Sequence, residues 1–351
     1  MSAMPMQERA MHAAGPVDET APLPYPDGWF ALCFSRELKR GAVLTTPFMG
    51  RDVVLYRTAS GVACAVDAYC PHQGAHLGHG GTVDGEQIVC PFHHYAYGPD
   101  GRRIAAGCTT KGGQRLTLRT RHVREWNGFV FVWQNADGLA PTWELPKVDM
   151  TGFSAPVGQA FTLRGVMQNL PENGFDLEHF GALHRWKDMK PHTPVIDGPR
   201  ISMQVDMAWK HIKWSTLIGV HGLGCVSSDH EMKAIGLEAK IFACGVQIAP
   251  LRWTFRDGIS FRFSWLSRWP APLQRLVYAV LGRLLHRLWL VPVFKEDIMV
   301  WSNRDYTGYG TPVAGDGPYP VFQRWARQFY PGDDRVAARH RAAQADAFAG
   351  K

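Results

Sequence analysis

This chain of 351 residues has no run of like charge, no evident disulfide framework, no apolar leader and no low-complexity tract, and each absence removes a class of protein. Lysine and arginine total 38 against 31 acidic residues, a net charge of +7. The excess is scattered among acids rather than drawn into a stripe, which argues against tracking a nucleic-acid backbone. A mild basic excess does suit docking of an acidic electron-transfer partner. The cysteines number seven, an odd count without framework spacing. A stapled secreted domain is therefore not expected, and a reducing, cytoplasmic compartment is. The opening stretch has no apolar core between its charged and small residues, so no secretory signal is expected, and residues 1–25 read as a flexible arm. No G-x-G-x-x-G follows a strand, which assigns any nicotinamide chemistry to another polypeptide.

An uncharged apolar run long enough to cross a bilayer is also missing. Residues 276–294 come nearest, but Arg283, His286 and Arg287 lie in the middle, where charge is costly in lipid. The segment reads as a buried or amphipathic helix. The second reading is an interfacial helix that takes up a lipid-like substrate in peripheral contact with a membrane.

What remains is an ordinary globular composition, 46% apolar and 20% charged, with length enough for two domains. From Trp29 to Trp133 the pattern is one of short strands and tight turns. G-R-D-V-V-L-Y-R-T-A-S-G-V-A-C-A-V-D-A-Y-C places two β-rich runs about Ser60-Gly61, and G-F-V-F-V-W ends in another apolar strand. The polar, proline-bearing stretch 135–149 marks a boundary near residue 145, giving domains 26–145 and 146–351. In the second part, residues 166–190 look helical. In L-R-W-T-F-R-D-G-I-S-F-R-F-S-W, Asp257-Gly258 suits a hairpin turn between two aromatic strands, and an antiparallel sheet covered by helices from 166–190 and 275–305 follows. The aromatics Trp209, Trp214, Phe242, Trp253 and Trp265 suit a core or a bulky apolar substrate.

Chemistry is concentrated in two motifs. Cys70-Pro71-His72 and Cys90-Pro91-Phe92-His93 bring one thiol and one imidazole each on short loops, with Gly74, Gly78, Gly80 and Gly81 between them. Two thiolates on one iron and two imidazoles on the other make a Rieske 2Fe-2S cluster, whose neutral ligands raise its potential above that of all-cysteine clusters. Zinc is the competing occupant, but zinc fingers pair like with like at close spacing. The second motif holds Asp176, His179 and His184 in N-L-P-E-N-G-F-D-L-E-H-F-G-A-L-H. Asp176 and His179 share a helix face, and two imidazoles plus a carboxylate with open positions form a set suited to Fe(II) that reacts with dioxygen.

C-P-H-Q-G-A-H-L-G-H-G and C-P-F-H-H-Y-A-Y-G-P-D-G-R resemble the cluster loops of Rieske non-haem iron oxygenases, and the likeness runs from about Gly28 to Val132. The resemblance implies that Cys70 and Cys90 bind one iron and His72 and His93 the other. His76, His79 and His94 match no ligand position, and Cys33, Cys64, Cys108, Cys225 and Cys244 read as packed thiols. The resemblance also makes His179 and His184 ligands of a mononuclear iron. Asp176 would hydrogen-bond His179 and a cluster histidine, His93, of a neighbouring subunit, which implies a homotrimer. The run K-E-D-I-M-V-W-S-N-R-D-Y, followed by D-G-P-Y-P-V-F-Q-R-W-A-R-Q-F-Y-P-G, resembles 3-ketosteroid 9α-hydroxylases and cholesterol 7-desaturases. It offers Glu296, Asp297 and Asp305 as the third ligand, of which Asp297 is the choice, while Asn169 or Asn173 would line the site. The implied fold is α+β, an all-β Rieske domain ahead of a helix-grip catalytic domain. The implied partners are an NAD(P)H-dependent ferredoxin-type reductase, dioxygen and a hydrophobic small molecule, a sterol or steroid first and an arylamine-like ring compound second. A Rieske-only carrier and a zinc-stabilised binding protein are the readings from other classes.

Overall fold

The computed structural model describes residues 23–104, 116–209, 212–306, 313 and 316–330; Cys108 and most of the 1–25 arm lie outside them. The first part is built from strands β1 (Gly28–Phe34), β2 (Val43–Phe48), β3 (Arg51–Arg57), β4 (Ala63–Asp67), β5 (Thr82–Asp84), β6 (Gln87–Val89), β7 (Ala96–Tyr97), β8 (Thr120–Arg121), β9 (Val123–Trp126) and β10 (Phe129–Gln134). They form three antiparallel sheets in the orders β1-β10-β9, β2-β3-β4-β8 and β5-β6-β7. Ser60-Gly61 lies in the connection between β3 and β4, as its turn chemistry implies. The loop after Cys70 leads into β5, and the loop of Cys90 to His93 joins β6 to β7 of the small third sheet. Gly80 takes a φ of 91°, and a Cβ on Gly81 would fall 2.1 Å from the Leu77 carbonyl oxygen, so neither position accepts a side chain without strain.

The second part carries β11 (Ala160–Arg164), helices α1 (Asn169–Asn173) and α2 (Leu177–Ala182), then β12 (Lys187–Pro191), β13 (Val195–Asp197), β14 (Arg200–Trp209), β15 (Ile212–His221), β16 (Cys225–Met232), β17 (Leu237–Ala249) and β18 (Arg252–Phe263). An eight-stranded antiparallel sheet runs β11-β18-β17-β16-β15-β14-β12, with β13 also on β14. The helical reading of 166–190 holds for α1 and α2 only. Arg185 takes a φ of 60°, which breaks the helix, and the chain turns back as β12.

The hairpin expected at Asp257-Gly258 does not exist: β18 passes straight through both residues. Alternation along the strand explains why this dipeptide sits there. Asp257 is fully buried on the helix side, where its carboxylate accepts hydrogen bonds from the Gln159 main-chain N–H at 2.8 Å and from His286 Nε2 at 2.8 Å. Gly258 faces the other way, where a Cβ would stand 3.0 Å from the Phe129 ring. Trp253, Phe255, Ile259 and Phe261 therefore belong to one strand and one face, all buried.

The sheet packs on both sides. Phe242, Cys225 and Cys244 meet Trp29, Phe129 and Phe131 of the first part. The turn between β2 and β3 is tied to β17 by hydrogen bonds from Met49 N to Gln247 O, 2.9 Å, and from Gly50 N to Ile248 O, 3.0 Å. Over the opposite face lies one continuous helical stretch, Ala271–Asn303, made of α3 (Ala271–Leu285), a π-helical turn His286–Leu290 and α4 (Val291–Asn303). By length and composition alone it is apolar enough to cross a membrane. In the fold it lies along the sheet, anchored through His286 to Asp257. Helix α5 (Tyr319–Ala326) closes the end near α1, with Phe322 stacked on Phe175.

Candidate metal centres

The two cysteine and histidine loops converge. Cys70 and Cys90 are buried, and the rings of His72 and His93 stand 4.7 Å apart between centroids. Cys70 Sγ lies 3.2 Å from the Tyr97 hydroxyl. Burial pushes the Cys90 thiol above its ordinary value, with Cys70 beside it adding to the rise, while main-chain N–H groups of Phe92 and His93 aimed at its sulfur pull the other way. Two buried sulfurs sharing a space with N–H donors, and a buried His72 Nδ1 with no hydrogen-bond partner, fit a cationic iron pair better than a dry core. Histidine 93 is exposed, so the imidazole edge of this site opens to the surface. His76 turns away toward Asp52, at 3.5 Å, and His79 and His94 are exposed. Cys33, Cys64, Cys225 and Cys244 are buried free thiols.

A second group forms between the sheet and its helical cover. One ligating atom each from His179, His184 and Asp297 lies within 4.8 Å of the others. His184 Nε2 is 3.2 Å and His179 Nε2 3.8 Å from Asp297 Oδ1. Helix α2 presents His179, the break after α2 presents His184, and α4 presents the buried Asp297. Each imidazole is oriented through its other nitrogen. His179 Nδ1 meets the main-chain carbonyl of Asp176, and His184 Nδ1 meets Glu296 Oε2 at 2.9 Å. With Nδ1 committed, both Nε2 atoms are directed at one point, and His184 Nε2 is buried without a hydrogen-bond partner. Three converging donors, with each imidazole supported through its other nitrogen, are an arrangement able to hold a metal ion.

Burial holds His179 below the ordinary imidazole range against the pull of Asp297. For His184 burial opposes protonation, yet the Asp297 carboxylate close to its Nε2 and the bond of its Nδ1 to Glu296 outweigh that and raise it. A cation among these three groups would relieve both the shared carboxylate and the crowded imidazoles.

The remaining expected residues divide. Asn173 is in the site: its Nδ2 donates to Asp297 Oδ1 at 3.0 Å, and its Oδ1 accepts from Trp301 Nε1 at 3.2 Å. Asn169 is not among the lining residues. It is buried at the start of α1, and its Oδ1 accepts from Arg304 at 3.1 Å. Asn169 thus joins a polar knot around buried Glu172, whose oxygens meet Gln168, Tyr306 and Gln323 at 2.9, 2.5 and 2.7 Å. Asp176 touches His179 through its main chain, while its carboxylate caps α2 by accepting the His179 main-chain N–H at 3.3 Å. Of the three downstream carboxylates only Asp297 enters the cluster; Asp305 is exposed beyond α4. Sequence reasoning missed Glu296 as the partner of His184. Its adjacency to Asp297 was the available signal.

A cavity adjoins the group, lined by Leu170, Phe180, Trp186, Met207, Ile218, Ile241, Trp289 and Phe294 among others. Its polar corner is Thr216, Ser228 and His230, with His230 Nδ1 2.8 Å from the Thr216 hydroxyl and Nε2 2.9 Å from the Ser228 hydroxyl. Burial lowers His230 to about 4, so the ring is neutral at ordinary pH. Phe242, Trp253 and Trp265, singled out from the sequence, do not line it.

Comparison with known proteins agrees with this geometry. Residues 28–124 match the Rieske [2Fe-2S] domain family. The chain is 28% identical to the cholesterol 7-desaturase of Bombyx mori over 88% of its own length and 70% of the relative's. It is 23% identical, over 89% and 81%, to a probable 3-ketosteroid-9-alpha-monooxygenase oxygenase component of Rhodococcus rhodochrous. In fold it is similar to apo dicamba monooxygenase, with a TM-score of 0.67 at 16% identity, covering 90% of this chain and 99% of that one. The cluster loops lie inside the matched domain, and the likeness to these proteins continues across the sheet and helices that hold the second group, so the chain carries a Rieske [2Fe-2S] domain at residues 28–124 and over most of its length resembles oxygenases and desaturases built on one.

Proposed function

We propose that this chain is the oxygenase component of a Rieske-type monooxygenase that oxidises a bulky hydrophobic substrate, a sterol or steroid, with electrons from a separate NAD(P)H-dependent reductase. Cys70, His72, Cys90 and His93 are assigned to the 2Fe-2S cluster, and His179, His184 and Asp297 to Fe(II). When bound, the cluster supplies electrons and the iron supplies activation of dioxygen. Hydroxylation balances as substrate, dioxygen, two electrons and two protons giving alcohol and one water; desaturation under the same input gives an alkene and two waters.

The chain's own contribution is geometry and exclusion of water. The Asp176 carbonyl and Glu296 carboxylate fix the two imidazoles, and Asn173 fixes the Asp297 carboxylate. The observation that carries the substrate reading is the cavity beside these ligands, walled by apolar and aromatic side chains and broken by one polar corner. Such a wall suits a fused-ring hydrocarbon skeleton bearing a single oxygen function, which Ser228 or Thr216 would hold. The names carried by the relatives support the same class.

The open space is about 120 Å³, below the roughly 300 to 1,000 Å³ of typical ligand sites. A sterol therefore enters only as Trp289, Val293 and Phe294 on the helical cover give way. The π-helical turn His286–Leu290, which contains Trp289 and precedes Val293 and Phe294, is the irregular point about which the cover would move.

The reading extends to a homotrimer in which Asp176 meets His93 of a neighbouring subunit, and to action in the cytoplasm. Its test is reconstitution. Anaerobically loaded enzyme with a ferredoxin-type reductase and NADH should consume dioxygen in proportion to an oxidised sterol or 3-ketosteroid identified by mass spectrometry. Dioxygen uptake and product formation with a small aromatic amine, and none with any sterol, would overturn the substrate class.

A further inference from the structure

The helical stretch that covers the cavity has two apolar faces. Tyr278, Gly282, His286 and Leu290 recur every fourth residue and are buried against the sheet. Leu273, Leu276, Val280, Leu284 and Leu288 recur at three- and four-residue intervals on the opposite side and are exposed, Leu276 by 61% and Leu288 by 70%. Spacing of this kind puts the five on one line of the helix surface. At its start Trp265 and Trp269 stand in water, their ring centroids 6.0 Å apart. Single exposed leucines are ordinary, but a continuous stripe with paired tryptophans is a contact surface.

Charge identifies what it contacts. From residue 264 to residue 295 there is no aspartate or glutamate, while Arg268, Arg275, Arg283, Arg287 and Lys295 all fall in that span and are exposed. An aliphatic line bordered by arginines, with indoles at one end, is the composition of a helix lying in the plane of a lipid surface. A second copy of this face would meet it with like charge, which disfavours a self-complementary contact. The helix cannot stand upright in a bilayer without leaving the sheet, because His286 is bonded to the fully buried Asp257 and Asp297 belongs to the group on the inner side.

We propose that the outer face of Ala271–Asn303 docks the enzyme flat on a bilayer containing anionic lipid. The same stretch lines the cavity from its inner side, through Trp289, Leu290, Val293 and Phe294. A lipid-soluble substrate then passes from the bilayer to the cavity around one helix, without crossing water. This last step rests on the substrate reading above; the docking itself does not, and it is measured without turnover.

The test is flotation of the full-length holoenzyme with vesicles of phosphatidylcholine alone or mixed with phosphatidylglycerol. Wild-type protein should float with the mixed vesicles and release as salt is raised. Leu276→Glu combined with Leu288→Glu should weaken that partition about tenfold or more while retaining cluster absorbance and iron content. Arg275→Glu with Arg283→Glu should abolish the preference for anionic vesicles. Wild-type protein that stays at the bottom of the gradient with both vesicle types, or a double leucine variant that floats unchanged, would sink the proposal. Loss of oligomer mass in the leucine variant without any wild-type flotation would hand the face to a second copy instead.

Discussion

His184 shows how much one side chain depends on its neighbours. Its Nε2 has a direction only because Glu296 holds Nδ1, and Asp297 has one only because Asn173 donates to it. Mutating Asp297 to Ala removes a charged ligand, so iron at the second site should vanish while cluster absorbance stays; metal analysis beside the visible spectrum reads both. Glu296→Gln leaves all three ligands and alters only support for His184. Iron affinity should then fall roughly 10- to 100-fold, measured by competition with a chelator. A Glu296→Gln protein that binds iron like wild type would remove that support role. That His179 and His184 come together was legible because their residue types and spacing suit one another. Glu296 was not, because a carboxylate that bonds a ligand looks the same in sequence as one that is a ligand. Asn169 was misplaced for a related reason: Asn169 and Asn173 lie four apart on one short helix, but only Asn173 faces the cavity, while Asn169 faces Arg304.

Among elements, β18 carries the clearest departure from local reading. Asp-Gly is a strong turn signal, and here it is overridden because each residue answers a different partner, His286 on one side and Phe129 on the other. Tertiary partners of this kind lie far off in the chain and leave no local mark. Replacing Asp257 by Ala strips a buried acceptor from His286 and from the Gln159 N–H, so urea unfolding should show a loss of roughly 3 kcal/mol. Asp257→Asn keeps an acceptor and should lose less; equal losses would mean that the bonds to Asp257 do not anchor the cover. The same sheet should be acid-labile. Burial, with Arg200 adding to it at His221, holds both His221 and His230 at about 4 in the folded chain, against roughly 6.5 when unfolded. Between those values the unfolded chain binds protons that the folded one refuses, so this contribution is complete above about 6.5 and falls as pH drops toward 4, by roughly 3 kcal/mol per histidine. The urea midpoint should therefore fall from neutral pH toward pH about 5, and His221→Gln should visibly reduce the fall.

For the whole molecule, motif spacing made the order of the two centres legible, along with an α+β fold, but it could not show how electrons pass between them. No residue of the cluster loops lines the cavity at the second group. His93 faces solvent, and Asp176 is only half-buried at the start of α2. Two partly open groups on one chain are what transfer between subunits requires, since each must be reachable by another copy. Let one variant lack the cluster, Cys90→Ser, and another lack the iron, His179→Ala. Each alone should be inactive. Mixed in equal amounts and allowed to exchange subunits, they place a cluster-bearing subunit beside an iron-bearing one at one junction in four, so roughly a quarter of wild-type turnover should return if a closed ring passes electrons one way around. Mixed oligomers that are verified by native mass spectrometry and still turn nothing over would confine the electron path to a single chain, leaving Asp176 as a helix cap alone.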